Sequence, residues 1–155
     1  MHLNYLNLNK MNFNSKNPHY KKDTLAKMSQ NHFMHSVGIQ MMDVQEGMVV
    51  AQLNVLDAHR QQSLVVHGGV TATIADIAMG FAAYTLVEPN QSTVTSDLSV
   101  HYLKPGKGSI LEAVGKVIKA GQYLYYCECD IYCFEPSEPK VLIARAQATM
   151  CAVPA

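Results

Sequence analysis

Apolar and polar residues alternate with a period of two along much of the second half of the chain, and that pattern predicts strands. From Ser92 to Leu103, Leu98, Val100 and Tyr102 alternate with Asp97, Ser99 and His101. The turn KPGKG ends this run, and a second strand is predicted from Ile110 to Lys119. After the Ala120-Gly121 turn, Tyr123, Tyr125, Cys127, Cys129, Ile131 and Cys133 share one face, with Glu128 and Asp130 on the other. EPSEPK breaks that strand, and Val141 to Cys151 sets Leu142, Ala144, Ala146, Ala148 and Met150 against Arg145 and Gln147. Four such runs predict an antiparallel sheet with one covered face.

The first half reads differently. TLAKMSQNHFM, from Thr24 to Met34, spaces Leu25, Met28 and His32 as a short helix, with Asp23 or Thr24 as its N-cap. SVGIQMMDVQEGMVVAQLNV reads as a hairpin about Glu46-Gly47, and DAHRQQSLVV as a loop. The loop runs into VVHGGVTATIADIAMGFAAYTL, from Val65 to Leu86, which holds one acid, Asp76, and no Lys or Arg. If this is a helix starting near Gly68, then Val70, Ile74, Ile77, Phe81 and Tyr84 fall within about 40° of one direction, the face expected to meet the sheet. The order is then helix, two strands, long helix, four strands. This predicts an α+β fold in which a curved antiparallel sheet wraps a long central helix, explaining why the helix is apolar nearly all round.

Composition adds bounds rather than detail. A chain of 155 residues, 48% of them hydrophobic, suffices for one domain with its own core. The Asn-rich opening has no helical or strand period, so residues 1–22 are expected to be a disordered tail and 23–155 a single domain. The balance of 12 bases against 12 acids gives no basic field to recruit nucleic acid or an anionic membrane. Asp76 argues against a membrane-spanning role for the apolar helix. The opening residues lack the apolar run and cleavage site of a signal peptide and hold no Arg, which points to the cytoplasm. Cys127, Cys129, Cys133 and Cys151 lack C-x2-C pairs and a nearby His, and they read as buried reduced thiols rather than a metal site.

Two features carry chemistry. Asp76 has Thr73, Gly80, Ala72 and Ala83 as its helical neighbours, all small, so a groove or a close-packed second backbone can lie beside it. It is either a structural acid, bonded to Thr73 or capping a loop, or a reactive one. His67-Gly68-Gly69 places two poor helix formers at the helix start, where free N–H groups and the positive dipole end can receive a developing oxyanion. His67 is either a turn residue bonded to backbone or a general base. Met41, Met42, Met79 and Phe81 are either core or the lining of an apolar pocket.

VVHGGVTATIADIAMGFAA, followed by VTSDLSVHYLKPGKG, resembles the hotdog-fold acyl-CoA thioesterases of the phenylacetic-acid-degradation type over about residues 34 to 152. The resemblance implies a homodimer with a continuous sheet, or a homotetramer, with active sites at the subunit interface and no cofactor. It implies that Asp76 is the catalytic acid, as general base or nucleophile, and that the Gly69 N–H polarises the thioester carbonyl on a turn oriented by His67. Thr95 falls where a hydroxyl helps to position water. Gln61, or Gln62 in its place, falls where the family has Asn. Lys104, Lys107 and Lys119 are the candidates for the coenzyme A phosphates. The competing readings are a non-catalytic acyl-CoA-binding domain and a hotdog hydratase or dehydratase.

Overall fold

The sheet expected from the period-two runs is present in a computed structural model, which describes residues 12–155. Two short helices, α1 (Tyr20–Ser29) and α2 (His32–Val37), precede a hairpin of β1 (Ile39–Gln45) and β2 (Met48–Asn54). A single 3-10 turn at Asp57–His59 leads to the long helix α3 (Gly68–Tyr84). Strands β3 (Gln91–Tyr102), β4 (Ile110–Ala120), β5 (Leu124–Phe134) and β6 (Val141–Pro154) follow. All six strands form one antiparallel sheet in the order β1-β2-β4-β5-β6-β3, and α3 lies across its concave side.

Of the five residues of α3 expected to meet the sheet, Ile74 alone is fully buried. The fully buried positions are Ile74, Ala75, Ala78, Met79, Ala82 and Ala83, which on a helical wheel centre about 140° round from the Val70, Ile77, Phe81, Tyr84 stripe. The reason is the distance between helix and sheet. A Cβ built on Gly115, in the middle of β4, would lie 2.6 Å from the backbone carbonyl carbon of Ala78. Only alanines facing a glycine allow so close a seat, and the larger Ile77, Phe81 and Tyr84 are turned aside.

Alternation on β5 survives, with Tyr125, Cys127, Cys129, Ile131 and Cys133 all buried, although Tyr123, expected on the same face, precedes the strand and is exposed. Burial pushes the Cys127 thiol up to about 12 and raises Cys129 further, so both stay protonated at neutral pH. On β4 both faces are covered: Glu112, on the side away from α3, is almost fully buried in bonds to Lys140 and Gln52. Strand β3 departs the other way, since Val94, Leu98 and Tyr102 are all substantially exposed. It is one of the sheet's two edge strands, paired with β6 on one side only.

The N-terminal region also differs from expectation. Residues 1–11 of the expected tail lie outside the described residues, but α1 begins at Tyr20, inside the stretch read as tail. Asn17 organises its start, accepting from the His19 N–H and donating to the Asp23 carboxylate, so neither Asp23 nor Thr24 is the cap. The single helix expected over 24–34 is broken because the Asn31 side chain caps α2, accepting from the Met34 N–H at 2.9 Å.

Replacing Gly115 by Ala forces the helix off its seat. Gly115→Ala is expected to cost about 1–3 kcal/mol of stability, the usual range for overpacking, read as a lower midpoint in urea unfolding.

Candidate active site

The loop before α3 is held from both sides. His67 N–H donates to the His59 carbonyl at 2.8 Å, Val66 N–H to Gly106, and the Arg60 guanidinium to the carbonyls of Leu64 and Gly108. This fixes His67 in an extended conformation, with φ −63° and ψ 136°, as the N-cap of the helix. Its Nδ1 accepts from the Gly69 N–H at 2.9 Å. The amide expected to polarise a carbonyl is therefore engaged by the histidine side chain, while that of Gly68 has no hydrogen-bond partner among the described residues. The free donor at the helix end is displaced by one residue from the sequence-based assignment.

That end of the helix opens on a cavity of about 750 Å³ lined by Gln61, His67, Gly68, Tyr102, Lys104 and Lys107, among others. Gln61 lies in the lining; Gln62 is exposed and lies outside it. Tyr102 closes one side, its hydroxyl donating to the Gly68 carbonyl at 2.9 Å. Lys119 lies on β4 opposite Tyr126 and lines neither this cavity nor the next.

Asp76 is half-buried in a second cavity, of about 370 Å³. The Thr95 hydroxyl donates to Asp76 Oδ1 at 2.7 Å, and Thr73 is not its partner. One turn further along, Thr93 donates to the Gly80 carbonyl at 3.0 Å. Together with Tyr102 on Gly68, these hydroxyls tie β3 to α3 along the helix's open side, the strand number rising as the helix number falls. Ile77, Phe81 and Tyr84 form one wall of the cavity, and Lys27 of α1 faces them together with Gln30 and Asn31 of the α1–α2 junction. Of the four residues considered for an apolar pocket, Phe81 lines this cavity, Met79 is core, Met41 packs against the core and Met42 is exposed.

Sequence reasoning missed Tyr102, Thr93 and the residues of α1 and its junction with α2. The hydroxyls at 93 and 102 are visible as polar or aromatic positions on a strand, but which helix turn each one meets depends on the β-bulge between Thr95 and Asp97, and no local pattern encodes that shift. Lys27, Gln30 and Asn31 come from a segment remote in sequence from the acid.

Chemically, the two cavities carry complementary halves. One holds a carboxylate fixed through one oxygen with the other free to accept a proton; the other holds an unengaged N–H at a helix N-terminus. In a single chain these halves stand eight residues apart, about 12 Å of helical rise.

A family model described as Thioesterase superfamily matches residues 65–140, which run from the capping loop through α3 to the start of β6. The chain belongs to this hotdog-fold superfamily. A crystal structure of a thioesterase family protein from Silicibacter pomeroyi is 26% identical, with a TM-score of 0.84 over 88% of this chain and 99% of that one. The 1,4-dihydroxy-2-naphthoyl-CoA hydrolase of Listeria monocytogenes is 25% identical over 62% of this chain and 78% of its own length. The medium/long-chain acyl-CoA thioesterase YigI of Salmonella typhimurium is 28% identical over 55% of this chain and 61% of its own. The leading curated relatives are thus matched over about three fifths to four fifths of their length. The superfamily match includes both His67-Gly68-Gly69 and Asp76.

The cap predicts a selective response at position 67. His67→Ala removes the acceptor for the Gly69 N–H and is expected to cost about 1 kcal/mol; His67→Asn, whose short side chain can cap in the same way, should retain most of the stability in thermal unfolding.

Proposed function

We propose that the protein hydrolyses acyl-CoA thioesters with Asp76 as the catalytic carboxylate. The observation that carries this reading is the Asp76–Thr95 pair, an acid held at one oxygen at the edge of a cavity large enough for an acyl group. With Oδ1 held, Oδ2 is available to take a proton from water as the water oxygen attacks the thioester carbonyl. The tetrahedral oxyanion collapses by breaking the carbon–sulfur bond, releasing the free acid and the thiolate of coenzyme A. A thiolate leaves readily, so one base and one oxyanion donor suffice. Direct attack by Asp76 is the alternative course, passing through a mixed anhydride that water then cleaves.

The donor is assigned to the Gly68 N–H, because that of Gly69 is engaged. A separation of about 12 Å along one helix prevents Gly68 and Asp76 of the same chain from meeting one carbonyl. The reading therefore places the site between two copies, Gly68 of one facing Asp76 of the other. The long outer strand β3, unpaired on one edge and carrying exposed Val94, Leu98 and Tyr102, supports pairing of two copies along that edge. Lys104 and Lys107, beside the Gly68 cavity, are placed to meet the phosphates of coenzyme A. The coenzyme A thioesters in the names of the Listeria and Salmonella relatives point to the same substrate class.

Asp76→Asn is expected to lower kcat by roughly 10²–10⁴, the range for loss of a positioned base, with the fold unchanged by circular dichroism. Wild-type rates in the folded variant would sink the mechanism. Gly68→Pro is the complementary test: the extended His67 backbone accepts a following proline, proline is favoured at the first helical position, and the change deletes the free N–H. It should lower kcat/KM by about 10²–10³ without loss of thermal stability. Mixing Asp76→Asn and Gly68→Pro chains should restore about a quarter of wild-type activity, since half the dimers then carry one intact site; no recovery on mixing would exclude a site shared between copies.

A further inference from the structure

Gly80 lies in the middle of α3, where glycine weakens a helix relative to alanine. The usual compensations are missing. Its φ is not among the positive values, which among the described residues occur at Leu64, Gly38 and Gly47. No close packing requires it either: a Cβ built on Gly80 would meet nothing within 4 Å, whereas one on Gly115 would strike the backbone of Ala78. The Gly80 carbonyl is held by Thr93, so the helix is pinned rather than loosened there.

What Gly80 borders is the Asp76 cavity. It stands four residues beyond Asp76, about 6 Å along the axis and on nearly the same face. Phe81 and Tyr84 rise beside it in an edge-to-face pair, with ring centroids 6.4 Å apart, and Lys27 Nζ sits 5.1 Å from the Tyr84 ring centroid. We infer that Gly80 is the floor of an acyl subsite, and that its missing side chain sets the width of acyl group the enzyme accepts. The inference rests on the thioesterase reading and extends it to specificity. A carbonyl attacked beside Asp76 sends the next few carbons of its acyl group over Gly80. A slender straight chain can pass above a small side chain there; a group branched or ring-bearing close to the carbonyl needs the space that glycine leaves. The edge of the Phe81–Tyr84 pair supplies apolar contact for such a group.

The test compares wild type, Gly80→Ala and Gly80→Leu as full-length proteins, measuring kcat/KM for butyryl-CoA as the slender substrate and isovaleryl-CoA and benzoyl-CoA as the wide ones. The ratio of slender to wide kcat/KM should rise about tenfold or more in Gly80→Leu, the scale on which pocket volume discriminates substrates, and by less in Gly80→Ala. Gly80→Ala should also melt at or above the wild-type temperature, because its methyl is unopposed and alanine favours helix, so it reports on the subsite even if Gly80→Leu folds poorly. An unchanged ratio in both variants overturns the inference. So does a change of oligomeric mass in either, since the space beside Gly80 would then belong to a second copy rather than to substrate. A wild type that hydrolyses neither these three nor palmitoyl-CoA is a different failure, which removes the thioesterase reading and the subsite with it.

Discussion

The close seat of α3 on β4 governs the arrangement of the rest of the molecule. With Gly115 under Ala78, the helix comes too near the sheet for any side chain larger than alanine to stand between them at that point. The alanine face is thereby committed to the sheet, and the opposite directions of the wheel are free for other work. Ile77, Phe81 and Tyr84 turn toward α1, and Asp76 turns toward the outer strand. A larger side chain at Ala78 or Gly115 would lift the helix and carry it away from the hydroxyls of β3.

Those hydroxyls explain how an edge strand can remain open and still be precisely placed. Strand β3 is joined to the sheet through β6 alone, and much of its side-chain surface is exposed. Apolar burial therefore contributes little to its position. Thr93, Thr95 and Tyr102 hold it instead by three hydrogen bonds to successive parts of α3, and one of the three ends on the candidate catalytic acid. The strand that orients Asp76 is thus the same one whose free edge is available to a second copy. Under the proposed mechanism, assembly and orientation of the acid are mechanically linked through a single element.

Much of this was legible in the sequence for physical reasons that can be named. Period-two alternation survives wherever one face of a strand is covered and the other wet, as on β5, where the buried set from Tyr125 to Cys133 was read correctly. His67-Gly68-Gly69 marked the start of α3, and the lone acid of that apolar helix is the residue the proposed mechanism uses. The pattern failed where burial depends on something distant. Large residues suggested the sheet-facing stripe because size usually tracks burial, but close approach to Gly115 selected small ones. The choice between the two glycines after His67 rested on where Nδ1 points, which is a matter of cap geometry and not of spacing. The break between α1 and α2 was missed because Asn31 suits either a helix surface or a cap, and here its side chain takes the Met34 N–H.

Three glycines on and under one helix then divide distinct tasks according to what surrounds them. Gly115 is glycine because a backbone lies against it, and Gly80 has open space where a side chain would be. Under the proposed mechanism Gly68 contributes its amide: a Cβ there would meet the Tyr102 ring at 3.4 Å, an ordinary contact, so sterics alone do not require glycine. What glycine secures at that position is an unobstructed approach to a free N–H at the mouth of the larger cavity. The physical content of a small residue therefore lies in what surrounds it, with backbone, open space or a reachable donor each implying a different role. In α3 the first of these fixes the helix on its sheet, and the other two face the cavities where the proposed chemistry would occur.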